Sequence, residues 1–334
     1  MRADNLYHIG PYKIESRTIL APMAGITDMP FRRLCRELGA GLTVSEMVAS
    51  DPSTRNTTKF MNRTKFDKNL SKSSLNIVQI AGADPKLMAT AAQYNVDHGA
   101  HIIDINMGCP AKKVCRRAAG SSLLKDIPLI KSILKAVTQS VNVPVMLKIR
   151  TGWDPTSRNA MQVAKIAQDI GISALAIHGR TRACRFVGEV EYQSIAEVAS
   201  SIDIPVFANG DITTPHEAGA VIRFTGAAAV MIGRAARGNP WIFNEIEYFF
   251  AHKKLMGPPS NTAFAEAILK HMRWVHQFYG EPTGVKVFRK HLNWYLPESR
   301  DFTRIFNTLT TTKEQKQALS SYLGHHNNKR EKAA

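Results

Sequence analysis

The clearest folding signal in the chain is LNIVQIAGADPKLMATAAQYNVDHGAHIIDIN, residues 75–106. It begins with the apolar run LNIVQI and ends with a second one, HIIDIN. Between the two runs, Asp84-Pro85 is a pair that commonly opens a helix, and Gly99 lies where that helix should end. Continuous apolar runs suit parallel strands that are buried on both faces. The stretch therefore predicts a strand, a crossover helix and a second parallel strand.

The same pattern extends in both directions and gives eight apolar runs whose starts lie 23 to 42 residues apart. The runs are RTILAP (17–22), LTVSEM (42–47), LNIVQI (75–80), HIIDIN (101–106), VPVMLKI (143–149), SALAIH (173–178), IPVFAN (204–209) and AAAVMI (227–232). This spacing leaves room for one helix after each strand. Eight strand-helix units in roughly 240 residues predict an α/β fold, a (β/α)8 TIM barrel, whose typical length is about 250 residues. On periodicity alone, a doubly wound open sheet is the alternative.

A second domain, all-helical, is predicted after the barrel. From about Phe243 the strand-like runs give way to helical stretches, NEIEYFFAHKKL, FAEAILKHMRWVHQFYG, GVKVFRKHLNWYL and EQKQALSSYLG. The sequence therefore divides into a barrel at residues 1–243 and a helical domain at residues 244–334. A frayed polar tail is expected from about residue 325.

Composition excludes several classes of protein. Of the 334 residues, 44% are hydrophobic and 21% are charged, which suits a folded chain and not a disordered one. The four cysteines have neither the density of a disulfide scaffold nor the spacing of a zinc site, so we expect a cytoplasmic setting and no metal. No run approaches the ~20 apolar residues of a membrane helix, and the first residues lack the apolar core of a signal peptide. We therefore expect a soluble protein without a membrane partner.

The net charge of +17 favours a polyanionic partner. One cluster of cations lies in Lys112-Lys113-Val114-Cys115-Arg116-Arg117, and another contains Arg55, Lys59, Arg63, Lys65, Lys68 and Lys72. The helical domain carries +6 of the charge and interleaves its cations with aromatic residues, a composition that suits contacts with RNA. Solvated surface loops are the alternative interpretation of both clusters.

Polar groups follow the predicted strands at their carboxyl ends, where a barrel places its functional residues. Asn209-Gly210-Asp211 follows the seventh strand and Gly233-Arg234 follows the eighth, which is the usual phosphate position of this fold. Two tight turns would give the same pattern. Their joint occurrence at this position favours a phosphate site.

Lys148, Gln79 and His178 also lie at the ends of apolar runs. A buried ammonium group needs a partner, which for Lys148 is either a salt bridge or the negative charge of a reduced flavin near its N1 and O2 atoms. The amide of Gln79 can form hydrogen bonds with the edge of a flavin ring. His178 is equally compatible with such a site and with a hydrogen-bonded core position.

Cys109 is the strongest candidate for a reactive group. It lies in Asn106-Met107-Gly108-Cys109-Pro110, where the proline restricts the cysteine to an extended backbone and the glycine allows a tight approach. The loop is therefore expected to present the thiol in a fixed place at the mouth of the barrel. A buried structural cysteine is the alternative, since free cysteine is among the most buried residue types.

These residues resemble a known family, the tRNA-dihydrouridine synthases, and most closely its bacterial B-type branch. The resemblance is carried by APMAGITDMPFR (21–32), GLTVSEM (41–47), VQIAGADP (78–85), IIDINMGCPAKKV (102–114), LKIRTGW (147–153), IHGRTR (177–182), ANGDI (208–212), MIGRAARGNPWIF (231–243) and RKHLNWYL (289–296). It covers nearly the whole predicted barrel and continues into the helical domain.

The resemblance implies an enzyme that reduces a D-loop uridine of tRNA to 5,6-dihydrouridine. NADPH would reduce bound FMN, the flavin would deliver a hydride to C6 of the uracil, and Cys109 would protonate C5. The implied FMN-binding residues are Pro22, Met23, Ala24, Gln79, Lys148, His178, Asn209, Gly210, Asp211, Gly233 and Arg234. The residues expected to contact the base and the RNA phosphates are Asn106, Lys112, Lys113, Arg180 and Arg182.

Cys115 departs from the family pattern, which has a polar residue at this position, so a second thiol lies close to Cys109 in the sequence. Two other functions are compatible with parts of the pattern. An FMN-dependent dehydrogenase of a free pyrimidine, similar to dihydroorotate dehydrogenase, would explain the strand ends but not the basic helical domain. A non-catalytic tRNA-binding protein would bind RNA without a flavin. We expect a monomer, since one tRNA-sized ligand requires no second copy.

Overall fold

The computed structural model describes residues 7–66 and 75–331, with side chains as far as Gly324. The strands are β1 (Tyr7–Ile9), β2 (Tyr12–Ile14), β3 (Thr18–Leu20), β4 (Leu42–Thr43), β5 (Val48–Ala49), β6 (Ile77–Ala81), β7 (Ile102–Met107), β8 (Val145–Arg150), β9 (Ala174–His178), β10 (Val206–Asn209) and β11 (Ala229–Ile232). The helices are α1 (Met29–Glu37), α2 (Thr58–Thr64), α3 (Pro85–Asp97), α4 (Lys112–Cys115), α5 (Ile127–Ser140), α6 (Ala160–Ile170), α7 (Gln193–Ala199), α8 (Pro215–Thr225), α9 (Ile242–His252), α10 (Asn261–Tyr279), α11 (Glu281–Tyr295), α12 (Arg300–Phe306) and α13 (Thr312–Glu331).

The parallel strands from β3 to β11 close into a barrel. Neighbouring strands pair in the order β4-β3-β11-β10-β9-β8-β7-β6-β5, and β4 and β5 are the two ends of one segment, residues 42–49. Within that segment Val44 pairs with Ile77 of β6, so the last gap in the ring of strands is bridged. The predicted TIM barrel is therefore confirmed, and the doubly wound open sheet is wrong.

Alternation along the strands decides which side chains enter the barrel. All six residues of β7 are buried, as expected for a strand that is covered on both faces. Ile103 and Ile105 pack in the hydrophobic layer between the strands and the surrounding helices, whereas Ile102 packs with residues inside the barrel. Because successive side chains point to opposite faces, Asp104 and Asn106 lie on the inner face with Ile102.

A hairpin that the sequence analysis did not predict covers the amino end of the barrel. β1 and β2 pair antiparallel around a turn at Gly10, whose φ of +57° favours glycine. Tyr7 packs in the apolar cluster at the beginning of the barrel strands, and its ring centroid lies 5.3 Å from that of Phe207. The functional end of the barrel is therefore the opposite, carboxyl end.

Capping side chains fix the starts of the barrel helices. Asp84 accepts a hydrogen bond of 2.9 Å from the backbone N–H of Leu87 and so caps α3, as its position before Pro85 suggested. Thr214 and Glu217 form a capping box at the start of α8. These bonds satisfy backbone N–H groups that have no partner within a helix.

Helix α9 packs in the outer layer of the barrel. Ile242, Phe243 and Ile246 are buried in the barrel's hydrophobic core. Glu247 accepts hydrogen bonds from the Ser16 hydroxyl and from the backbone N–H of Arg17 at the entrance of β3. The predicted boundary at residues 243/244 thus falls within a helix that is part of the barrel.

The helices from α10 to α13 form a second hydrophobic cluster that docks on α1. Phe288 and Phe306 are fully buried in this cluster. The rings of His271 and His291 lie 5.6 and 5.5 Å from the ring of Phe31 in α1.

Helix α12 was not predicted, and α13 includes part of the segment that was expected to be a frayed tail; residues 332–334 lie outside the described residues. In the part of the chain that the structure describes, no helix is both long and apolar enough to span a membrane.

Candidate active site

A cavity of about 970 Å³ opens at the carboxyl end of the barrel. This volume lies at the upper end of the range of about 300–1,000 Å³ that is typical of small-molecule sites. Most residues that the sequence indicated line it, because the carboxyl ends of the strands converge there. They are Pro22, Met23, Ala24, Gln79, Asn106, Cys109, Lys112, Lys148, His178, Asn209, Gly210, Asp211, Gly233 and Arg234.

A chain of hydrogen bonds connects the buried end of the cavity to the loop after β7. The Gln79 amide donates to Asp104 at 2.6 Å and accepts from the Asn106 amide at 2.7 Å. The side-chain Oδ1 of Asn106 accepts hydrogen bonds from the backbone N–H groups of Gly108 at 3.3 Å and Cys109 at 3.0 Å. Asn106 therefore holds the backbone that presents Cys109, and Gln79 fixes the orientation of Asn106.

Burial governs the protonation of Cys109. The residue is only partly exposed, and desolvation raises the pKa of its thiol above the ordinary value. The hydrogen bond from the Ala111 backbone and the charges of Arg150 and Lys148 lower the pKa by less. The thiol is therefore protonated at neutral pH, which is the form that an acid requires.

The Cys109 backbone is anchored from the far side of its loop. Its carbonyl oxygen accepts hydrogen bonds from the Ser121 hydroxyl at 2.8 Å and from the Cys115 thiol at 3.6 Å. A side chain at Gly120, where φ is +64°, would lie 2.8 Å from the same oxygen. The Cys115 side chain thus contacts the backbone of the reactive loop and not the Cys109 thiol.

Lys148 projects into the cavity from β8. Its ammonium group donates to the Asn209 side-chain oxygen at 2.9 Å, while the Asn209 amide donates to the Met231 carbonyl at 2.7 Å. Burial, together with the nearby Arg150, lowers the pKa of Lys148 to about 8. Asn209 is a neutral partner, so the positive charge of Lys148 remains uncompensated in that contact.

His178 lies in the same wall as a neutral imidazole. Burial holds its pKa well below the ordinary value, and the surrounding cations, first Lys148 and Arg150, lower it further. Its Nε2 atom is buried and has no hydrogen-bond partner among the described residues. This atom is therefore free to form a hydrogen bond with a ligand. The sequence alone had left open whether His178 belongs to the site or to the core.

The carboxylate of Asp211 is shared by two arginines. Arg180 donates to one oxygen and Arg234 donates to the other. The hydrogen bond from Arg180 is the main reason that the pKa of Asp211 lies below its ordinary value. Asp211 consequently repels a phosphate with its own charge but orients the Arg234 guanidinium at the cavity wall.

Three residues that were predicted to bind substrate do not line the cavity. Arg180 is 4% exposed and is bonded to Asp211 and the Gly188 carbonyl. The guanidinium of Arg182 lies 4.3 Å from the ring centroid of Trp153. Lys113 lines a second cavity nearby.

Two arginines of the basic cluster at residues 55–72 contact different partners in the fold. The guanidinium of Arg55 stacks at 4.4 Å from the ring centroid of Tyr94. Arg63 forms an ion pair of 3.2 Å with Glu46. Lys68 and Lys72 lie outside the described residues.

Sequence reasoning placed Arg150 among the polar residues at the strand ends but gave it no role, and it missed Phe186. Arg150 donates to the Gly108 carbonyl at 2.8 Å and to the Thr181 and Arg185 carbonyls at 2.9 and 2.8 Å, so it joins the Cys109 loop to the loop after β9. Its position two residues after Lys148 on one strand was an available signal, because residues two apart share a face. Phe186 lines the cavity between Arg150 and Arg234, and nothing in its local sequence distinguishes it.

Comparison with known proteins identifies the family of this chain. A sequence model of the family described as "Dihydrouridine synthase (Dus)" matches residues 19–327. The chain belongs to the dihydrouridine synthase family. It is 54% identical over 310 residues to tRNA-dihydrouridine synthase B of Xanthomonas axonopodis pv. citri (strain 306), a match that covers 92% of each chain. It is 52% identical over 317 residues to tRNA-dihydrouridine synthase B of Escherichia coli (strain K12), covering 94% of this chain and 98% of that one. The resemblance to the B-type branch is thereby confirmed.

Two solved structures share the fold of this dihydrouridine synthase family member at low sequence identity. Histamine dehydrogenase from Rhizobium sp. 4-9 matches with a TM-score of 0.54 and 11% identity, over 80% of this chain and 50% of that one. A variant of NCR from Zymomonas mobilis matches with a TM-score of 0.53 and 15% identity, over 78% and 95% of the two chains. Such identities support the fold alone.

Proposed function

We propose that this protein reduces a D-loop uridine of tRNA to 5,6-dihydrouridine, with FMN as cofactor, NADPH as reductant and Cys109 as the donor of the proton to C5. The observation that carries the proposal is a thiol on a braced loop at the wall of a large cavity lined by polar strand ends. Burial raises the pKa of this thiol, which favours its protonated form. Membership of the dihydrouridine synthase family and the names of the relatives support the reaction.

The residues of the cavity fit a flavin mononucleotide. The unpartnered Nε2 of His178 and the ammonium of Lys148 suit the polar edge of an isoalloxazine ring. After β10 and β11, Gly210, Gly233 and Arg234 offer backbone and guanidinium donors for a phosphate. A Cβ at Gly233 would have no neighbour closer than 3.8 Å, so there is room there for a ligand. When bound and reduced, the flavin supplies the hydride for C6 of the uracil ring.

Lys148 has the charge that a reduced flavin needs. Asn209 holds its ammonium group without neutralising it, so the group can offset negative charge near N1 and O2 of the ring. Although burial lowers the pKa of Lys148 to about 8, this value is still above neutral pH, so the lysine is mostly protonated. We therefore assign Lys148 the role of binding and electrostatic stabilisation.

Cys109 donates the proton and its surroundings keep it in place. Hydride addition at C6 leaves negative charge at C5, which a nearby thiol can protonate. Asn106 and Ser121 hold the backbone on either side of the thiol. The Asn106 amide has a second N–H beside the one that it donates to Gln79, and we propose that it contacts the uracil.

We place the tRNA on the basic surface around the cavity and on the helices after α9. A uridine within folded RNA must leave its stack to enter a cavity of this kind. Lys112 lines the cavity and Lys113 lies beside it, where they can meet the RNA phosphates. A monomer in the cytoplasm is sufficient for this reaction and is our proposal for the protein.

The test compares wild type with Cys109→Ala, using NADPH and unmodified tRNA and measuring dihydrouridine by mass spectrometry. The variant should keep its flavin and its NADPH oxidation while losing dihydrouridine formation by about 10²–10⁴-fold, the usual contribution of a general acid. Normal dihydrouridine in a Cys109→Ala strain that lacks other synthases would contradict the assignment. Reduction of free uridine or orotate without RNA would favour a free-pyrimidine dehydrogenase, and a colourless protein that binds tRNA would favour a non-catalytic role.

A further inference from the structure

A second cavity of about 530 Å³ lies directly beside the first. Met47 lines both cavities, and so the two share a wall. The short helix α4 stands at the same border, because Lys112 lines the first cavity while Lys113 and Val114 line the second. Adjacent residues of a helix point about 100° apart, so one short helix directs a cation towards each cavity.

The second cavity combines apolar walls with a basic rim. Leu87 and Val114 contribute apolar surface, and Leu87 is 38% exposed. Lys113 and Arg117 lie four residues apart and both border the cavity. Within the described part of the chain, neither of these two cations has a hydrogen bond or an ion pair to another side chain.

The acidic residues around the cavity are occupied by the fold. Asp51 accepts hydrogen bonds of 3.0 and 2.7 Å from the Ser53 backbone and hydroxyl, and Asp84 caps α3. Arg63 donates to the Met47 carbonyl at 2.8 Å and pairs with Glu46, so it stiffens the shared wall. Hydrogen bonds from Ser53 and, more weakly, the charge of Arg117 lower the pKa of Asp51, so Arg117 faces a carboxylate at the rim of the cavity. Among the described residues, Lys113 has no such ion pair.

We propose that the second cavity is a subsite for the base of a nucleotide adjacent to the target uridine, whose backbone phosphate is held by Lys113 and Arg117. The proposal rests on the proposed function and adds a specificity-determining site to it. Apolar walls suit the face of a base, and a rim of cations suits its phosphate. An RNA strand that crosses α4 would place the uridine in the first cavity and its neighbour in the second.

Leu87→Glu provides the sharpest perturbation of this subsite. Leu87 occupies the third position of α3, three residues after the Asp84 cap, where a glutamate is favourable for the helix. The new carboxylate would enter the subsite and repel an RNA phosphate. Thr90→Glu is the matched control, because Thr90 lies exposed on the same helix, outside the second cavity, and takes the same change of charge.

The holoenzymes are assayed with tRNA, with tRNAs that carry one abasic nucleotide on either side of the target uridine, and with NADPH alone. Leu87→Glu should lower kcat/KM for intact tRNA by about tenfold or more, mainly through KM, and Thr90→Glu should not. One of the two abasic tRNAs should impair wild type but not impair Leu87→Glu any further, since the subsite is already lost. Additive effects of Leu87→Glu with both abasic tRNAs would overturn the proposal.

Lys113→Ala tests the phosphate contact independently of Leu87. It should reduce the log-log salt slope of tRNA binding by about one, whereas Lys131→Ala on the exposed face of α5 should not. An unchanged slope contradicts the proposal.

A raised KM for NADPH in Leu87→Glu without RNA also overturns it, because the cavity would then serve the reductant. If wild type forms no dihydrouridine in intact tRNA, the proposed function itself fails before any variant is compared.

Discussion

Replacing His291 with phenylalanine should reduce the acid sensitivity of the helical cluster. His291 is 1% exposed, and its Nε2 has no hydrogen-bond partner among the described residues. Burial holds its pKa well below the ordinary value, and His271 and Lys290 lower it further. The folded protein therefore keeps this imidazole neutral, while the unfolded chain binds a proton as the pH falls through about 6.5. The stability that depends on the neutral His291 imidazole is therefore present above about pH 6.5 and is lost as the pH falls below it.

The magnitude follows from the proton that only the unfolded chain binds. Between about pH 7.5 and about pH 5.0, RT ln(1 + 10^(6.5 − pH)) rises by about 2 kcal/mol, and the free energy of unfolding falls by that amount. His291→Phe removes this loss, so the variant should gain about 2 kcal/mol relative to wild type between these pH values. Buried Asp28, whose pKa burial raises to about 6, acts in the opposite direction but is present in both proteins and cancels in the comparison.

Urea unfolding at both pH values and one ionic strength measures the effect. Tryptophan fluorescence reports on the cluster, since the Trp294 ring lies 5.3 Å from the His291 ring. His291→Leu serves as the control. Leucine packs differently from phenylalanine, so the two variants should differ in their free energy of unfolding at any one pH, but the change in that free energy between the two pH values should be the same. An equal loss of stability in wild type and in both variants between the two pH values would refute the reasoning.

Three further predictions concern the reactive loop, the docking of the helices and the RNA. Cys115→Ala should remain active, because it removes only weak sulfur contacts with the Cys109 carbonyl and the Ser121 hydroxyl, each worth about 0.5–1 kcal/mol, and dihydrouridine assays will check this. Gly238→Ala should lower the free energy of unfolding by about 2–5 kcal/mol, since its φ is +75° and its Cβ would lie 2.1 Å from the Trp294 carbonyl oxygen. Gly226→Ala, at a φ of +66° with nothing within 4 Å, should cost only about 1–2 kcal/mol in the same denaturation experiment. Affinity for tRNA should fall roughly 50-fold between about 50 mM and about 200 mM salt if four phosphates are contacted, while NADPH oxidation without RNA should change much less.

The strands of the barrel were predictable because each is buried on both faces and leaves a continuous apolar run. The second run was predicted as one strand over residues 42–47, but the structure divides it into β4 and β5. Its middle residues serve the site instead: the Ser45 hydroxyl accepts the Gln79 backbone N–H at 3.1 Å, and Glu46 pairs with Arg63. The hairpin of β1 and β2 was missed because three-residue strands are too short to show a period. Its burial depends on the barrel floor, which is distant in the sequence.

The lining of the site was predictable from one geometric rule, that parallel strands bring their carboxyl ends together. The partners of those residues were not. Arg180 and Asp211 lie 31 residues apart, and their ion pair depends on how two loops fold over the barrel. The stacking of Arg182 on Trp153 likewise joins the loops after two different strands. Loop conformation therefore decided which cations reach the cavity.

The hairpin at the amino end has a kinetic consequence. Because it covers the floor of the barrel, the described structure reaches the flavin position only from the carboxyl side, where the cavity opens. In the reaction that we propose, the nicotinamide and the uracil use this one opening in succession, and each leaves before the other arrives. A double-displacement rate law, with parallel lines in double-reciprocal plots at several fixed tRNA concentrations, is the expected signature of this shared entrance.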